Sequence, residues 1–383
     1  MNTERALDEV LEVTNRADLR EVGGSHAHKG IDFQRYWAVA RMVELEQNGA
    51  SDFLLLFEAI QDVAELDSCT NPTSIRVYQV KKKDNDRWSW NDLTSLKKPT
   101  PSTVQDFEKI RQSPLGKLYV SVIAIASLTC EGLFVSNATC DLELMLDSGI
   151  RVCDTMHCNL ASLANPHRDL LVQGLKVLHS NGDHKPDPGK ITLQKVHIPP
   201  GDPYTFVVGE MHKFLDARYP KHAGQARSLV DTLIARISPL GARTEFCLTF
   251  DEMRKERGYS HSDFLLALTK LAHVPDEDDL LRDVCGKLFI EGLDLTTSCS
   301  MHLAMGVIQT DRLLGRTNKM ADELDMDCDE WLLRNALTPP LLPKFEQACA
   351  EIGDKHSAFH PAELMAHLVM RVVKKCVDQI SED

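Results

Sequence analysis

Residues 53–81, FLLLFEAIQDVAELDSCTNPTSIRVYQVK, decide the fold and indicate its chemistry. An apolar strand-like run ends on Glu58, Asp62 follows, and a β-branched segment leads into Gln79 and Lys81. Side chains two apart in a strand share a face, so Gln79 and Lys81 are predicted to project together. Acidic oxygens are ligands that Mg²⁺ prefers, and a lysine beside them can orient water or stabilise a phosphate. The pattern therefore indicates a metal-dependent phosphodiesterase.

Two further motifs flank this stretch in a fixed order. Upstream lies GGSHAHKGIDFQ, residues 23–34, and downstream lies WSWND, residues 88–92. The ordered set resembles the PD-(D/E)XK nuclease superfamily. It is similar in particular to the double-stranded DNA endonuclease domain at the front of bacterial antiphage effectors, including CBASS effectors and nucleases that partner HerA-type ATPases. The resemblance covers about residues 20–140.

The resemblance implies a role for each polar residue of the site. The usual position of the superfamily's acidic ligand favours Asp62 as the principal metal ligand, with Glu58 as a second ligand or a water-positioning group. Gln79 and Lys81 complete the catalytic set, with Gln79 also holding the metal. Gln34 lies on the first predicted helix, where related nucleases place a Glu or Gln near the metal. The implied metal is Mg²⁺, with Mn²⁺ as an alternative. An exposed strand face and a solvated helix residue remain the alternative interpretations.

Composition limits how the chain can contact DNA. The 383 residues suffice for two domains, and the net charge of −14 argues against binding nucleic acid through bulk attraction. A local basic strip is enough for a nuclease cleft, and the run at Lys81, Lys82 and Lys83 is the best candidate. We assign Lys82 and Lys83 to DNA binding. A solvated loop in an acidic protein is the competing interpretation.

Cysteine usage and hydropathy indicate the compartment. Eleven cysteines without tight pairs are typical of reduced thiols in a cytoplasm. Cys153, His157 and Cys158 lie close together, but they lack the Cys-x-x-Cys spacing of most structural zinc sites. The polar N-terminus has no apolar signal core, and no stretch approaches a membrane span. The chain carries no Gly-x-x-x-x-Gly-Lys-Ser/Thr loop, so a nucleotide-driven step would need a partner.

The front of the chain has the element order of a nuclease core: helix, three strands, helix, strand. We predict a helix over 31–47, strands near 53–58, 62–66 and 75–81, a helix near 103–112, a strand over 117–126 and a further short strand at 132–136. The apolar run 117–126 is typical of a strand buried on both faces. The predicted fold is an α/β restriction-endonuclease-like domain over residues 1–180, with its core at about 20–140.

A turn-rich segment at 181–189 marks the predicted boundary to a mainly α-helical domain over residues 190–383. Candidate helices cover 205–218, 223–238, 250–257, 261–272, 277–291, 299–314, 318–336, 342–352 and 361–380. The pair 250–257 and 261–272 resembles a helix-turn-helix. Its second helix lacks the Arg, Lys, Asn and Gln face of a reading helix, which favours packing over DNA recognition.

The sequence therefore predicts a DNA endonuclease effector of antiphage defence. The helical half is expected to drive assembly into a homo-oligomer or to dock a partner, with a HerA-like hexameric ATPase as the expected partner. Two alternatives remain open: a catalytically inactive scaffold protein with a nuclease fold, and an effector that cleaves RNA with the same metal chemistry.

Overall fold

The computed structural model describes residues 3–16, 27–84, 87–96, 107–145, 150–165, 167–179, 185–240, 246–273, 277–313 and 318–382. The chain divides into two compact units, Met1–Thr269 and Lys270–Asp383. The first is a mixed α/β unit built on one large sheet, and the second is helical. This confirms the α/β front and the mainly helical back of the chain. The restriction-endonuclease-like character of the fold stays a prediction.

The first unit contains nine described strands. They are β1 (Leu54–Phe57), β2 (Val63–Leu66), β3 (Ser74–Lys81), β4 (Arg87–Trp88), β5 (Thr129–Ser136), β6 (Thr139–Cys140), β7 (His157–Asn159), β8 (Ile191–Lys195) and β9 (Gly258–Ser260). Seven form one sheet in the order β7-β8-β5-β3-β2-β1-β9, while β4 pairs with β6. Strands β1, β2 and β3 are antiparallel neighbours, whereas β3, β5 and β8 are parallel. Strand β3 therefore lies at the centre of the sheet, and the predicted strands at 53–58, 62–66, 75–81 and 132–136 are confirmed.

Helices cover both faces of this sheet. Those that begin in the first unit are α1 (Thr3–Thr14), α2 (Ala27–Gln47), α3 (Trp90–Thr94), α4 (Pro114–Ile123), α5 (His167–Lys176), α6 (Pro203–Arg218), α7 (Ala226–Ile237), α8 (Phe250–Arg257) and α9 (His261–His273). Helix α2 packs on one face of β3 through Trp37, whose ring centroid lies 4.7 Å from that of Tyr78. Helix α4 packs on the opposite face, where a Cβ on Gly132 would lie 2.9 Å from Leu118 Cγ. The absence of a side chain at Gly132 lets α4 approach the sheet closely.

The predicted strand at 117–126 is wrong, because most of this run belongs to α4. Ser113 caps the helix by accepting a hydrogen bond from the Gly116 amide, and Pro114 occupies the first turn, where its missing N–H costs nothing. These start signals outweigh the β-branched residues of the run. The strand beside β3 is β5 instead. Of the predicted helix at 103–112, a short 3₁₀ turn at Lys109–Gln112 is present, and residues 103–106 lie outside the described residues.

The predicted domain boundary at 181–189 falls within the first compact unit, and residues 181–184 lie outside the described part of the chain. Strand β8 follows this segment and pairs with β5 in the central sheet. Residues on both sides of the predicted boundary thus contribute strands to the same sheet. How function divides between residues 1–180 and 190–383 stays a prediction.

The helix pair at 250–257 and 261–272, which resembles a helix-turn-helix in sequence, has a strand between its helices. Helices α8 and α9 have the expected bounds, but residues Gly258–Ser260 between them form β9, which pairs with β1 at the edge of the sheet. Thr249 and Ser260 cap the two helices, as their spacing from Glu252 and Asp263 predicts. A linker bound into a sheet cannot present α9 as a free reading helix.

The second unit is a helical bundle. Its helices are α10 (Glu277–Ile290), α11 (Leu295–Leu313), α12 (Lys319–Arg334), α13 (Leu342–Gly353) and α14 (Pro361–Glu382), close to the predicted ranges. Polar side-chain contacts join α14 to α12: His367 Nδ1 lies 2.7 Å from Asp325 Oδ1, and Arg371 forms an ion pair with Asp329. Among the described residues, no helix has the length and apolar character needed to span a membrane.

Candidate active site

The hairpin between β1 and β2 carries Asp62 to the centre of the sheet. The Glu58 amide donates to the Asp62 carbonyl at 3.0 Å, which closes the loop. Both Glu58 and Gln61 adopt left-handed backbone conformations, with φ of 48° and 54°. Such conformations cost about 1–3 kcal/mol each in residues with a side chain, and they cluster at functional sites. The loop is therefore held in a conformation that its residues do not favour by themselves.

Asp62 and Lys81 meet at the end of β3. Asp62 is 4% exposed, and its Oδ2 accepts a hydrogen bond from the Val80 amide at 2.6 Å. Its Oδ1 lies 3.4 Å from Lys81 Nζ. Burial of a carboxylate requires such compensation by hydrogen bonds and an opposite charge. Asp62 and Lys81 of the predicted catalytic set thus lie together, and Lys81 remains partly open to solvent.

Gln79 lies beside this pair on the same face of β3 and is fully buried. Its Nε2 donates to Gln61 Oε1 at 3.5 Å, a long hydrogen bond. Gln61 in turn donates from Nε2 to Ser121 Oγ at 2.9 Å. Gln61 and Ser121 were not among the predicted site residues. A polar residue directly before Asp62, after the apolar pair Ala59 and Ile60, is the signal that could have identified Gln61.

Gln34 reaches the same strand from the opposite face of the sheet. Its Nε2 donates to the Val80 carbonyl at 3.3 Å. The peptide units on either side of Val80 are thereby held from two directions, by Asp62 at its amide and by Gln34 at its carbonyl. Gln34 thus contacts the backbone of the Gln79-x-Lys81 triplet from the α2 side, and its role near a metal stays a prediction.

Glu58 occupies the outer part of the hairpin. Its side chain is exposed, and its carbonyl accepts a hydrogen bond of 2.7 Å from Nη1 of the buried Arg257. The Glu58 backbone thus lies beside Asp62, whereas its side chain is exposed and that of Asp62 is buried. Arg257 is a contribution from the back of the chain that the sequence did not indicate.

Lys82 and Lys83, the predicted DNA contacts, both lie in acidic pairs. Lys82 Nζ is 2.9 Å from Asp84 Oδ1, and Lys83 Nζ is 2.7 Å from Asp92 Oδ2. Lys83 Nζ also lies 4.2 Å from the centroid of a Trp88 ring, a cation–π distance. The hydrogen bond from Lys83 lowers the pKa of Asp92. Phosphate contacts by these lysines would have to compete with the carboxylates.

The donor set fits a magnesium ion, although the described residues contain no cluster of three or more His, Cys, Asp or Glu side chains. Mg²⁺ keeps several waters and is usually bound by one or two protein carboxylates together with substrate phosphates. Asp62 would supply a buried carboxylate, Gln79 a buried amide oxygen, and Glu58 an exposed carboxylate. All are hard oxygen donors, and no sulfur or imidazole ligand is needed.

Comparison with known proteins gives one match. Residues 22–241 match the family described as Cap4, dsDNA endonuclease domain. No curated protein and no solved structure matches the chain significantly. Since the match covers more than half of the chain, the protein belongs to this family. Its resemblance to the endonuclease domain of antiphage effectors is confirmed.

Proposed function

Starting from membership of this endonuclease family, we propose that the chain is a metal-dependent endodeoxyribonuclease with a restriction-endonuclease-like fold. It hydrolyses phosphodiester bonds of duplex DNA as an effector of antiphage defence in the cytoplasm. The observation that carries the proposal is the convergence of Asp62 and Lys81 beside Gln79 at the centre of the sheet. A buried carboxylate that is paired with a lysine and lies next to a buried amide suits phosphate chemistry. On a solvated surface these polar side chains would have no reason to be buried.

In this proposal Asp62 and Gln79 hold the metal, and Glu58 acts as a second ligand or positions water. Mg²⁺, or Mn²⁺ in its place, supplies water activation and charge stabilisation at the phosphorus when bound. Lys81 places its ammonium group where negative charge develops on the phosphate, a contribution that preorganised donors make without reorganisation. Gln34 keeps the Val80 peptide in place, and Lys82 and Lys83 contact the DNA backbone after exchanging their carboxylate partners for phosphate.

Cleavage of supercoiled plasmid DNA with Mg²⁺ or Mn²⁺, with and without EDTA, tests this proposal. The full chain, alone or with its cognate partner, should cleave in a metal-dependent way, and Lys81→Ala should abolish cleavage. Lys213→Ala is the matched control, because Lys213 is 71% exposed and pairs only locally with Glu210 on α6. Cleavage that persists in EDTA, or equal loss in both variants, would contradict the proposal. A parallel RNA substrate separates a DNA nuclease from an RNA-cleaving effector.

Control by assembly is the second part of the proposal. The helical unit exposes large apolar side chains on several helices, including Ile290, Leu303 and Leu333 at 85%, 74% and 77%. Exposed apolar surface of this kind favours association. We expect the unit to drive homo-oligomerisation and to dock a HerA-like hexameric ATPase. Light scattering should show fewer subunits per particle for a chain that ends at Thr269 than for the full chain. Unchanged stoichiometry would move the interface to the first unit.

A further inference from the structure

A row of buried polar side chains runs behind Gln79, away from the Asp62–Lys81 pair. Gln79, Gln61 and Ser121 are 0%, 8% and 0% exposed, in a region otherwise filled by apolar side chains. The row ends at the backbone: Ser121 Oγ donates to the Lys117 carbonyl at 3.1 Å, within α4. Buried polar groups of this kind persist only where they are hydrogen-bonded to one another.

The row has a direction, because a backbone carbonyl can only accept. The Ser121 hydroxyl gives its single proton to the Lys117 carbonyl, so its oxygen must accept from Gln61. Gln61 therefore directs its amide nitrogen to Ser121 and its oxygen to Gln79. Gln61 Oε1 can only accept a hydrogen bond, so Gln79 donates to it through Nε2. The amide oxygen of Gln79 therefore points away from Gln61.

This direction matters at a metal site built with glutamine. The oxygen and nitrogen ends of a primary amide have nearly the same shape, so packing alone does not distinguish them. A cation is bound by the oxygen end and repelled by the N–H end. A carboxylate presents oxygen in either orientation, whereas Gln79 requires a neighbour that recognises its nitrogen.

We propose that Gln61 and Ser121 are positioning residues that select the amide orientation of Gln79 and so present its oxygen to the metal. The inference rests on the proposed function, since it takes Gln79 as a ligand. The left-handed conformation of Gln61 agrees with this role, because it directs a side chain from a tight loop into the sheet's covered face. The row is thus a polar support for the site, and it begins at α4.

Metal binding to the full-length protein tests the proposal without relying on cleavage. In calorimetric titrations with Mn²⁺, Ser121→Ala should weaken affinity about 10–100-fold, the usual cost of losing an outer support of a metal ligand. Ser121→Thr keeps the hydroxyl and should restore most of the affinity. Ser113→Ala is the matched control: this serine is equally buried at the start of the same helix but caps its backbone. It should lower the melting temperature and leave affinity unchanged.

Making the same substitution in a Gln79→Glu protein tests whether Ser121 acts through the amide orientation of Gln79. In Gln79→Glu, no amide orientation remains to be selected, so adding Ser121→Ala should cost little or no Mn²⁺ affinity. An equal loss in both backgrounds would overturn the proposal, because Ser121 would then act through general packing. Unchanged affinity of Ser121→Ala in the natural background would also overturn it. If the unmodified protein binds no Mn²⁺ and does not cleave, the proposed function itself fails, which is a separate outcome.

Discussion

Two buried carboxylates, three residues apart, face opposite sides of the central sheet and have different surroundings. Glu65, on the α2 side, accepts hydrogen bonds from Arg41 Nε at 2.8 Å, Arg76 Nη1 at 3.0 Å and the Tyr78 hydroxyl at 3.0 Å. Asp62, on the α4 side, accepts from a backbone amide and faces Lys81 at the longer distance of 3.4 Å. A carboxylate surrounded by fixed donors joins elements together, whereas one beside a partly solvent-accessible lysine can take part in chemistry.

The Glu65 cluster also supports the site indirectly. Arg41 and Gln34 are seven residues apart on α2, so they share one face of the helix. The bidentate contact of Arg41 with Glu65 anchors that face to β2, while Gln34 contacts the Val80 carbonyl. Glu65 therefore helps to hold α2 in place, and α2 carries the Gln34 side chain that contacts β3.

The largest expected difference between the two carboxylates is in activity. Asp62→Asn should lower the rate of DNA cleavage by about 10²–10³-fold or more, the loss expected when one preorganised charge is removed from an active site. It should also weaken Mn²⁺ binding measured by calorimetry. The melting temperature should change little, because the amide keeps the shape and can still accept from Val80. A fully active Asp62→Asn enzyme would remove Asp62 from the site.

Glu65→Gln should instead act on stability. Removing the charge leaves Arg41 and Arg76 without their shared partner, and breaking a buried ion pair from one side costs about 3–5 kcal/mol. Urea unfolding should show this loss. Cleavage per folded molecule should fall less than in Asp62→Asn. Unchanged stability would mean that the Glu65 cluster does not hold α2 in place.

The pH dependence of stability sharpens the same comparison. Burial by itself raises the pKa of Glu65, but the hydrogen bond and charge of Arg41, with Arg76 and Tyr78, leave it below its ordinary value. A lowered folded-state pKa adds stability at neutral pH, and that stability is lost as pH falls through the acid range below the unfolded-state pKa. Melting temperatures of Glu65→Gln should therefore converge on those of the unmodified protein at low pH. A constant difference across the acid range would contradict this origin.

The smallest expected effect concerns Glu58. Because its side chain is exposed, Glu58→Gln should reduce cleavage by about 10-fold, at the low end of the loss expected for an outer support of a metal site and below that of Asp62→Asn. Plasmid cleavage at saturating Mg²⁺ measures both variants together. Should Glu58→Gln be inactive while Asp62→Asn retains activity, the ranking of the two acids would be reversed.

Local sequence signals predicted much of the fold. The ranges of the helices beyond residue 203 follow from apolar periodicity and from caps such as Thr249 and Ser260, since these act within one helical turn. The run 117–126 was misinterpreted because a fully buried helix and a fully buried strand are both apolar throughout. Its start signals at Ser113 and Pro114 were the informative residues.

The sequence by itself determined the family and placed Asp62 at the start of one strand and Gln79 and Lys81 at the end of another, because strand periodicity and motif order are read along the chain. Only the tertiary structure decided that β8 and β9, from far along the chain, complete the sheet, and that Arg257 reaches the Glu58 carbonyl. It also decided that Gln61 and Ser121, 60 residues apart, form one hydrogen-bonded row with Gln79. Contacts over such separations depend on how helices pack on the sheet, and no local pattern encodes them.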